Sequence, residues 1–471
     1  MTKTNANEER LLPNGWYTVA MDKVADVQSG AGFPKKYQGN TNGELPFAKV
    51  SDISESVENG KAVLKMAANY VSKETAKNLR AKVFPVDSTV FAKIGEAVRL
   101  NRRAIVGKPC CVDNNVMGLW PNKSTVVPRY LFYFMHTVDL YDLSRATTVP
   151  SVRKSDVAEI QVPLAPLPEQ ERIVAEIEKQ FTRLDTAVAT LHRLQANLDR
   201  YKASVLKAAC EGRLVPQDPN DEPADQLLQR ILTERRRQWQ AANPGKKYKE
   251  PMELNDVENP PSLPEIPSNW VWAPLGQLTW NVKDGPHYSP KYAIEGIPFI
   301  SGGNVRPDGV DFENTKFITP ELHEELSKRC KPELGDILYT KGGTTGIARV
   351  NTYEREFNVW VHVAVLKLVP LIEPFYIQHA LNSPFCYLQS QKYTHGVGNQ
   401  DLGLTRMVKI VLALPPLAEQ ERIVAEVERR LSVVAATQQA ITANLARAGR
   451  LRQSILQQAF TGQLVPQLEQ S

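Results

Sequence analysis

The sequence lacks long hydrophobic runs and paired cysteines, and these absences narrow the class of protein. Of its 471 residues 42% are hydrophobic, and no apolar run approaches the ~20 residues that a membrane span requires. The N-terminal MTKTNANEERLLPNGW has no apolar segment typical of a secretory signal. The five cysteines form neither a CxxC pair nor a disulfide framework. We therefore expect a cytoplasmic protein that does not span a membrane.

The sequence also has little excess charge of either sign. The net charge is +5; residues 14–165 carry 20 basic against 14 acidic side chains, and residues 268–415 carry 14 of each. Such a balance permits a polyanionic partner such as DNA, but it does not by itself indicate one.

What the sequence does contain is a long internal repeat. Residues 166–217 begin PLPEQERIVAEIE and end GRLVPQ, whereas residues 416–467 begin PLAEQERIVAEVE and end GQLVPQ. The offset is 250 throughout without a gap, and 21 of the 52 positions are identical. Shared composition does not produce identity of this extent, so the segment is a duplicated element.

Each copy of the repeat is predicted to form one long helix. Pro168 stands near the helix start, where a missing N–H costs nothing, and Gly212 and Gly462 stand where a C-cap is expected. Apolar residues recur every seven positions, namely Ile177, Leu184, Leu191, Leu198 and Val205 in the first copy and Val427, Val434, Ile441, Ala448 and Ile455 in the second. This pattern predicts a coiled coil between the two copies, a rod of roughly 65 Å. Two unrelated helices packed on separate domains are the alternative.

The segments before each helix are more weakly related. LPNGW matches IPSNW, ELPFAKVSDI matches GIPFISGGNV, DSTVFAKIGEA matches GDILYTKGGTT, and VPRYLFYFM matches EPFYIQHAL. Short apolar runs punctuated by Gly, Pro and Asn predict strands with long loops, so each globule is expected to be α+β. The predicted division is an arm (1–13), a first globule (14–165), a first repeated helix (166–217), a helix with a Pro-rich charged and mobile tether (218–267), a second globule (268–415), a second repeated helix (416–467) and a tail (468–471).

These motifs resemble those of the specificity subunits of type I restriction-modification systems over nearly the full length. The resemblance lies in the doubled PLxEQERIVAE helix start, the GxLVPQ ending and the LPxGW opening, with Asn269 replacing Gly in the second copy. The resemblance implies two α+β target recognition domains, separated by two long helices that pair as an antiparallel coiled coil. Each domain would read one half of an asymmetric, split DNA site.

The resemblance also implies partners and a division of labour. The chain would be non-catalytic and would dock two methyltransferase subunits, with restriction subunits joining the full complex. It would hold no cofactor itself, because S-adenosylmethionine, ATP and Mg²⁺ are expected on the partner subunits.

Two other functions are alternatives to this one. A self-contained DNA methyltransferase or nuclease needs motifs that the sequence lacks: Asn259, Pro260 and Pro261 are followed by Ser262 rather than by a ring that stacks on a flipped base. Neither GxGxxG after a strand, nor GxxxxGK[ST], nor HExxH is found, so we assign no catalytic residue and no metal ligand. A coiled-coil structural adaptor without DNA binding is the other alternative.

Candidate DNA contacts are side chains on loops that offer donors and acceptors to base edges or phosphates. In the first globule they are Lys35, Lys36, Lys49, Ser51, Lys93, Arg99, Asn101, Arg102, Thr147, Thr148 and Arg153. In the second they are Lys283, His287, Tyr288, Ser301, Asn304, Arg306, Lys341, Thr344, Asn399 and Gln400. The glycine-rich KGGTTG, residues 341–346, suits phosphate contact through its backbone N–H groups, and Lys93 occupies the position that matches Lys341. An uninvolved surface residue is the alternative at each position.

Overall fold

The computed structural model describes residues 12–58, 60, 62–144, 149–257, 261–396 and 400–467. They belong to two compact units, unit 1 of residues 1–192 and 442–471 and unit 2 of residues 193–441. Both units combine β-sheets with helices, as the sequence predicts. No helix in the described part of the chain is long and apolar enough to cross a lipid bilayer.

Unit 1 is built on a five-stranded sheet and a three-stranded sheet. Its strands are β1 (Tyr17–Ala20), β2 (Ala25–Ser29), β3 (Leu45–Ala48), β4 (Val63–Leu64), β5 (Tyr70–Val71), β6 (Thr89–Ala92), β7 (Arg103–Val106), β8 (Cys111–Val112), β9 (Val116–Pro121) and β10 (Gln161–Leu164). Its helices are α1 (Met21–Val24), α2 (Val50–Glu58), α3 (Lys73–Asn78), α4 (Pro128–Met135), α5 (Lys154–Ala158) and the first part of α6 (Leu167–Cys210). The strand orders are β2-β9-β6-β7-β4 and β5-β3-β8, and β1 pairs with β10.

The larger sheet is covered on both faces. Val90 and Phe91 are neighbours in β6 and fully buried, yet they belong to two different core clusters. Successive side chains of a strand point to opposite faces, so both faces carry a core. This explains why β6 is a continuous apolar run rather than an alternating one.

Unit 2 repeats the plan of unit 1. Its strands are β11 (Val271–Pro274), β12 (Thr279–Asp284), β13 (Ile297–Ile300), β14 (Val305–Arg306), β15 (Gly309–Val310), β16 (Lys316–Ile318), β17 (Ile337–Thr340), β18 (Ala348–Val350), β19 (Asn358–Val359), β20 (Val363–Leu368) and β21 (Val411–Leu414). Its helices are α7 (Ala224–Ala242), α8 (Leu275–Leu278), α9 (Pro320–Ser327), α10 (Pro374–Leu381), α11 (Pro384–Tyr393), α12 (Leu404–Met407) and the first part of α13 (Leu417–Phe460). The sheets have the orders β12-β20-β17-β18 and β16-β13-β19, with the pairs β11-β21 and β14-β15.

The strand pairing confirms the weak sequence matches between the globules. β13 is antiparallel to β16 and parallel to β19, as β3 is antiparallel to β5 and parallel to β8. Tyr130 of α4 donates its hydroxyl to the carbonyl of Pro163, and Tyr376 of α10 donates to Ala413, each over 2.7 Å. The two units therefore share one topology, and the chain is an internal repeat along nearly its whole length.

The repeated segments form two helices of 44 residues each, α6 and α13. All ten predicted seam residues are buried or half-buried. In unit 1, Asp185 pairs with Arg452 and Glu169 accepts from Gln467; in unit 2, Asp199 accepts from Gln438 and Glu419 from Gln217. Within each unit the residue number in the second repeat falls as the residue number in the first repeat rises, as antiparallel packing requires. The predicted antiparallel coiled coil is confirmed.

The ends of the repeats fasten each unit to its helices. Gln217, the last residue of the first repeat, donates to buried Glu419 near the start of α13, and Trp270 Nε1 donates to the same carboxylate over 2.9 Å. Gly212 has φ +68, and a Cβ there would lie 2.3 Å from the ring of Pro267. The GRLVPQ segment therefore contacts both the first residues of the second globule and the start of α13.

The predicted helix between the halves is α7. Leu227 and Ile231 are fully buried, and the Arg235 Nε donates to the carbonyls of Gly276 and Thr279. The helix is thus packed on unit 2 beside β12, and the described residues of unit 1 contain no equivalent of it.

Candidate nucleic-acid interface

In unit 1 three loops meet at one end of the larger sheet. The Lys93 backbone N–H, just after β6, donates to the Asn115 carbonyl over 2.9 Å, and the Lys93 carbonyl accepts from Val152 N–H over 2.9 Å. Gly95 N–H donates to the Pro150 carbonyl over 2.8 Å. The strand ends thus bring the loop after β6, the loop before β9 and the segment before α5 together.

The same frame exists in unit 2. Lys341 N–H, just after β17, donates to the His362 carbonyl over 2.9 Å, and the Lys341 carbonyl accepts from Leu402 N–H over 2.7 Å. Gly343 N–H donates to the Gln400 carbonyl over 3.2 Å. The predicted match between Lys93 and Lys341 is therefore confirmed as a match of backbone position.

A further loop in each unit reaches this end of the sheet. The Asp52 carboxylate accepts from Lys49 N–H over 2.6 Å in unit 1, and the Asn304 amide oxygen accepts from Ser301 N–H over 2.9 Å in unit 2. Gly30 and Gly285 allow a close backbone approach, because a Cβ there would lie 2.0 Å from the Asp113 carbonyl oxygen and 1.8 Å from that of Val359. Loops held in this way form a defined surface, which sequence-selective recognition requires.

Several predicted contacts of unit 1 are exposed to solvent. Lys35 and Lys36 lie on a short 3₁₀ turn, Ser51 lies in α2, and Arg153 precedes α5. Arg99 is exposed, pairs with Glu96 over 3.1 Å and lies over the Tyr141 ring. The half-buried Lys49 donates its ammonium to Gln38 over 2.6 Å.

Other predicted contacts of unit 1 are engaged within the fold. Asn101 has φ +52, and its amide oxygen accepts from Arg103 over 2.9 Å and from Leu140 N–H over 3.1 Å. Arg102 pairs with Glu58 over 2.7 Å. Arg103 itself is 1% exposed, and burial lowers its pKa to about 10. Sequence reasoning missed Arg103, because an arginine within a strand is more often a surface residue.

Unit 2 holds Lys341 inside the protein. Its ammonium donates to the Asp401 carboxylate over 2.8 Å and to the Val361 carbonyl over 3.1 Å, and lies 3.5 Å from the Asp284 carboxylate. Burial by itself raises the pKa of Asp284, but the hydrogen bond from Arg329 and the charge of Lys341 outweigh it, so the pKa lies below its usual range. Sequence reasoning missed both carboxylates, because it sought donors to DNA rather than acceptors for a buried cation.

The remaining candidates of unit 2 divide in the same way. Asn304 is buried, with its amide nitrogen donating to the carbonyls of Asp311 and Asn314, and Ser301 donates its hydroxyl to Asn304. Arg306 is exposed and pairs with Asp311 over 2.7 Å. The exposed candidates are Lys283, His287, Tyr288, Thr344 and Gln400. Thr147, Thr148 and Asn399 lie outside the described residues.

The described residues contain no group of three His, Cys, Asp or Glu side chains that could hold a metal ion. All five cysteines are buried, and burial raises the thiol pKa of Cys110, Cys210 and Cys330 to about 12. Such thiols stay protonated and are poor nucleophiles. What the loops offer is a set of exposed donors and acceptors suited to nucleic acid.

Comparison with known proteins agrees with this arrangement. The family model of the type I restriction modification DNA specificity domain matches residues 13–196 and 268–445. The type I restriction enzyme EcoBI specificity subunit of Escherichia coli is 22% identical, covering 99% of this chain and 90% of that protein. The MjaIX specificity subunit of Methanocaldococcus jannaschii is 21% identical, over 79% of this chain and 76% of that protein.

Two solved structures share the fold. The HsdS subunit from Thermoanaerobacter tengcongensis is 21% identical and aligns with a TM-score of 0.51, covering 98% of this chain and all of that one. A chain from a study of complex assembly and conformational transition in the type I R-M system gives a TM-score of 0.65 at 20% identity, covering 96% of this chain and 99% of that one.

Proposed function

Because this chain belongs to the family of type I restriction-modification DNA specificity domains, and is therefore a non-catalytic specificity subunit, we propose that it reads an asymmetric, two-part DNA site. Unit 1 reads one half and unit 2 the other, and an unread spacer separates them. The observation that carries the proposal is the repeated loop frame around Lys93 and Lys341, built twice on one backbone plan with different side chains.

The differences between the frames support an asymmetric target. Lys49 in unit 1 corresponds to Ser301 in unit 2, and Asn115 corresponds to His362. A lysine donates to guanine or phosphate, whereas a hydroxyl both donates and accepts. Two frames with different donors select different bases, so the half-sites differ in sequence.

The paired helices support a fixed spacer. α6 and α13 each contribute to both units. Readers attached to a common helical element contact the duplex at a set separation, as dimeric DNA-binding proteins do with their half-sites. The length of α6 and α13 is then the quantity that sets the spacer.

We assign the chemistry to partner subunits. In this proposal the chain docks two methyltransferase subunits, restriction subunits join the full complex, and the assembly acts in the cytoplasm. S-adenosylmethionine, ATP and Mg²⁺ bind those partners, which agrees with the lack of GxGxxG and GxxxxGK[ST] motifs in this sequence.

Binding selection tests the proposal. The full chain, co-purified with its methyltransferase partner, is incubated with randomised duplexes, and we expect enrichment of two short unlike sequences at a constant gap. Enrichment of no bipartite sequence would favour a structural adaptor. In a second arm the chain alone is given S-adenosylmethionine and DNA, and methyl transfer without a partner would contradict the non-catalytic assignment.

A further inference from the structure

Lys93 and Lys341 occupy the same place in two equivalent frames. Each lysine follows the strand that pairs with β9 or β20 on one side and with β7 or β18 on the other. Each donates its N–H to the carbonyl of the residue immediately before β20 or β9, and the carbonyl of each accepts from the residue that follows Asp401 or Ser151. Any difference between the two lysines therefore arises from the side chains around them.

The surroundings of Lys341 hold its ammonium in place. The residue is 4% exposed, and its three donors face Asp401, Val361 and Asp284. Asp284 is 2% exposed and also accepts from Arg329 over 2.8 Å. Moving Lys341 to a phosphate would take one of two cations from the buried Asp284 carboxylate and would break the hydrogen bond to the half-exposed Asp401, which is unfavourable.

The surroundings of Lys93 lack both carboxylates. The strand register places Ser29 opposite Met117 of β9, as Asp284 lies opposite Ala364 of β20. Ser151 bridges to the residue after Lys93, as Asp401 bridges to the residue after Lys341. Two serines thus replace the two aspartates.

The Lys93 side chain is consequently available. It is partly exposed, and among the described residues no carboxylate pairs with its ammonium. The exposed Lys35, Lys36 and Arg153 add positive charge to the same unit. An unpaired ammonium at a rigid loop base is suited to neutralising one phosphate and releasing its condensed counterion.

We infer that Lys93 contacts a phosphate of the DNA backbone, whereas Lys341 is a positioning residue that holds the unit 2 loops together. This inference rests on the proposed function. At this position of the frame, unit 1 offers DNA a free ammonium, whereas unit 2 offers the exposed Thr344 and Gln400.

The test compares lysine variants in the full chain with its methyltransferase partner, on the duplex that binding selection identifies. Lys93→Gln is expected to weaken binding about tenfold, the contribution of one charge-assisted hydrogen bond. The plot of log association constant against log salt concentration has a negative slope, and the variant should make that slope about one unit less steep, equally on specific and scrambled duplexes. The matched control is Lys108→Gln, an exposed lysine just beyond the opposite end of β7, which should change neither quantity.

Two more variants separate positioning from contact. Lys341→Gln should leave the dependence of binding on salt unchanged but lower the thermal unfolding midpoint, because Asp284 keeps only Arg329 as a cation and Asp401 loses its ion pair with Lys341. The double variant Ser29→Asp with Ser151→Asp should give Lys93 the two carboxylates that surround Lys341 in unit 2. Because Lys93 would then pair with them, the salt dependence of binding should become less steep by the same amount as in Lys93→Gln.

The outcomes are distinguishable. Selective binding by the unaltered protein, with Lys93→Gln unchanged in affinity and slope, would overturn the inference and leave the proposed function intact. A loss confined to one base identity would also overturn it, since Lys93 would then read a base edge. If the unaltered protein bound no bipartite site, the proposed function and the inference would fail together, and Lys341→Gln would still report on folding.

Discussion

Gln217 donates a hydrogen bond to Glu419 over 2.6 Å, and so connects the last residue of one repeat to the start of the other. Burial raises the pKa of Glu419, and the hydrogen bonds from Trp270 and Gln217 partly offset that increase. In unit 1, Gln467 donates to Glu169 over 2.9 Å in the same way. There, however, the Trp16 indole N–H is buried without a partner among the described residues.

We predict that Glu419→Ala destabilises unit 2 by about 2 kcal/mol, because the buried Trp270 Nε1 and the exposed Gln217 Nε2 both lose their acceptor. The matched variant Glu169→Ala should cost roughly half as much in unit 1, where only the exposed Gln467 Nε2 loses its acceptor. Urea unfolding of each full-length variant measures both effects. Equal losses in the two variants would show that the tryptophan bond contributes nothing.

We predict that Asn101 serves folding more than DNA reading. Asn101→Ala should lower the stability of unit 1 by about 2 kcal/mol, because alanine is strained at φ +52 and Arg103 loses an acceptor. Asn101→Gly removes the strain but not the lost acceptor, so it should cost less. Thermal unfolding measures the difference. If both variants unfolded as the unaltered protein does but bound DNA more weakly, Asn101 would be a DNA contact rather than a folding residue.

We predict an acid-sensitive contribution from His379. Burial, together with the nearby cations of Arg349 and Lys202, lowers its pKa to about 4. The unfolded chain takes up a proton near pH 6.5 and the folded one does not. Stability is therefore fully present above about pH 6.5 and is lost on acidification at up to about 1.4 kcal/mol per pH unit, until His379 titrates in the folded state.

His379→Phe should flatten this loss between pH 6.5 and 4, measured by urea unfolding at a series of pH values. Replacing the exposed His395 with Gln is the control, and it should leave the loss of stability between pH 6.5 and 4 unchanged. If the free energy of unfolding of His379→Phe still fell as steeply between pH 6.5 and 4, the prediction would be contradicted.

We predict that the length of the paired helices sets the DNA spacer. Inserting one heptad after Leu191 and another after Ile441 keeps the apolar seam in register and adds ~10 Å, about three base pairs. Sequencing of methylated sites in cells that express the variant with its partners should find both half-sites unchanged and the gap longer. Altered half-sites at the original gap would refute the proposal that the length of the helices sets the spacer.

The sequence by itself determined the repeated architecture. A seven-residue apolar period places Ile177 and Val427 on the buried seam of a long helix, because the period of the pattern follows from helix geometry. The correspondence between the strands that precede Lys93 and Lys341 could be predicted for a similar reason. A short apolar run between turn residues can be aligned with its counterpart in few ways.

Only the tertiary structure decided what individual side chains do. Asp284 and Asp401 are 117 positions apart in the sequence, and nothing local shows that both surround Lys341. Asn101 was equally eligible for DNA by its residue type until the fold brought it to Arg103 and Leu140. Period and turn chemistry are local properties that a sequence displays, whereas the partner of a charge depends on which strands become neighbours, and that is settled by packing of the whole unit.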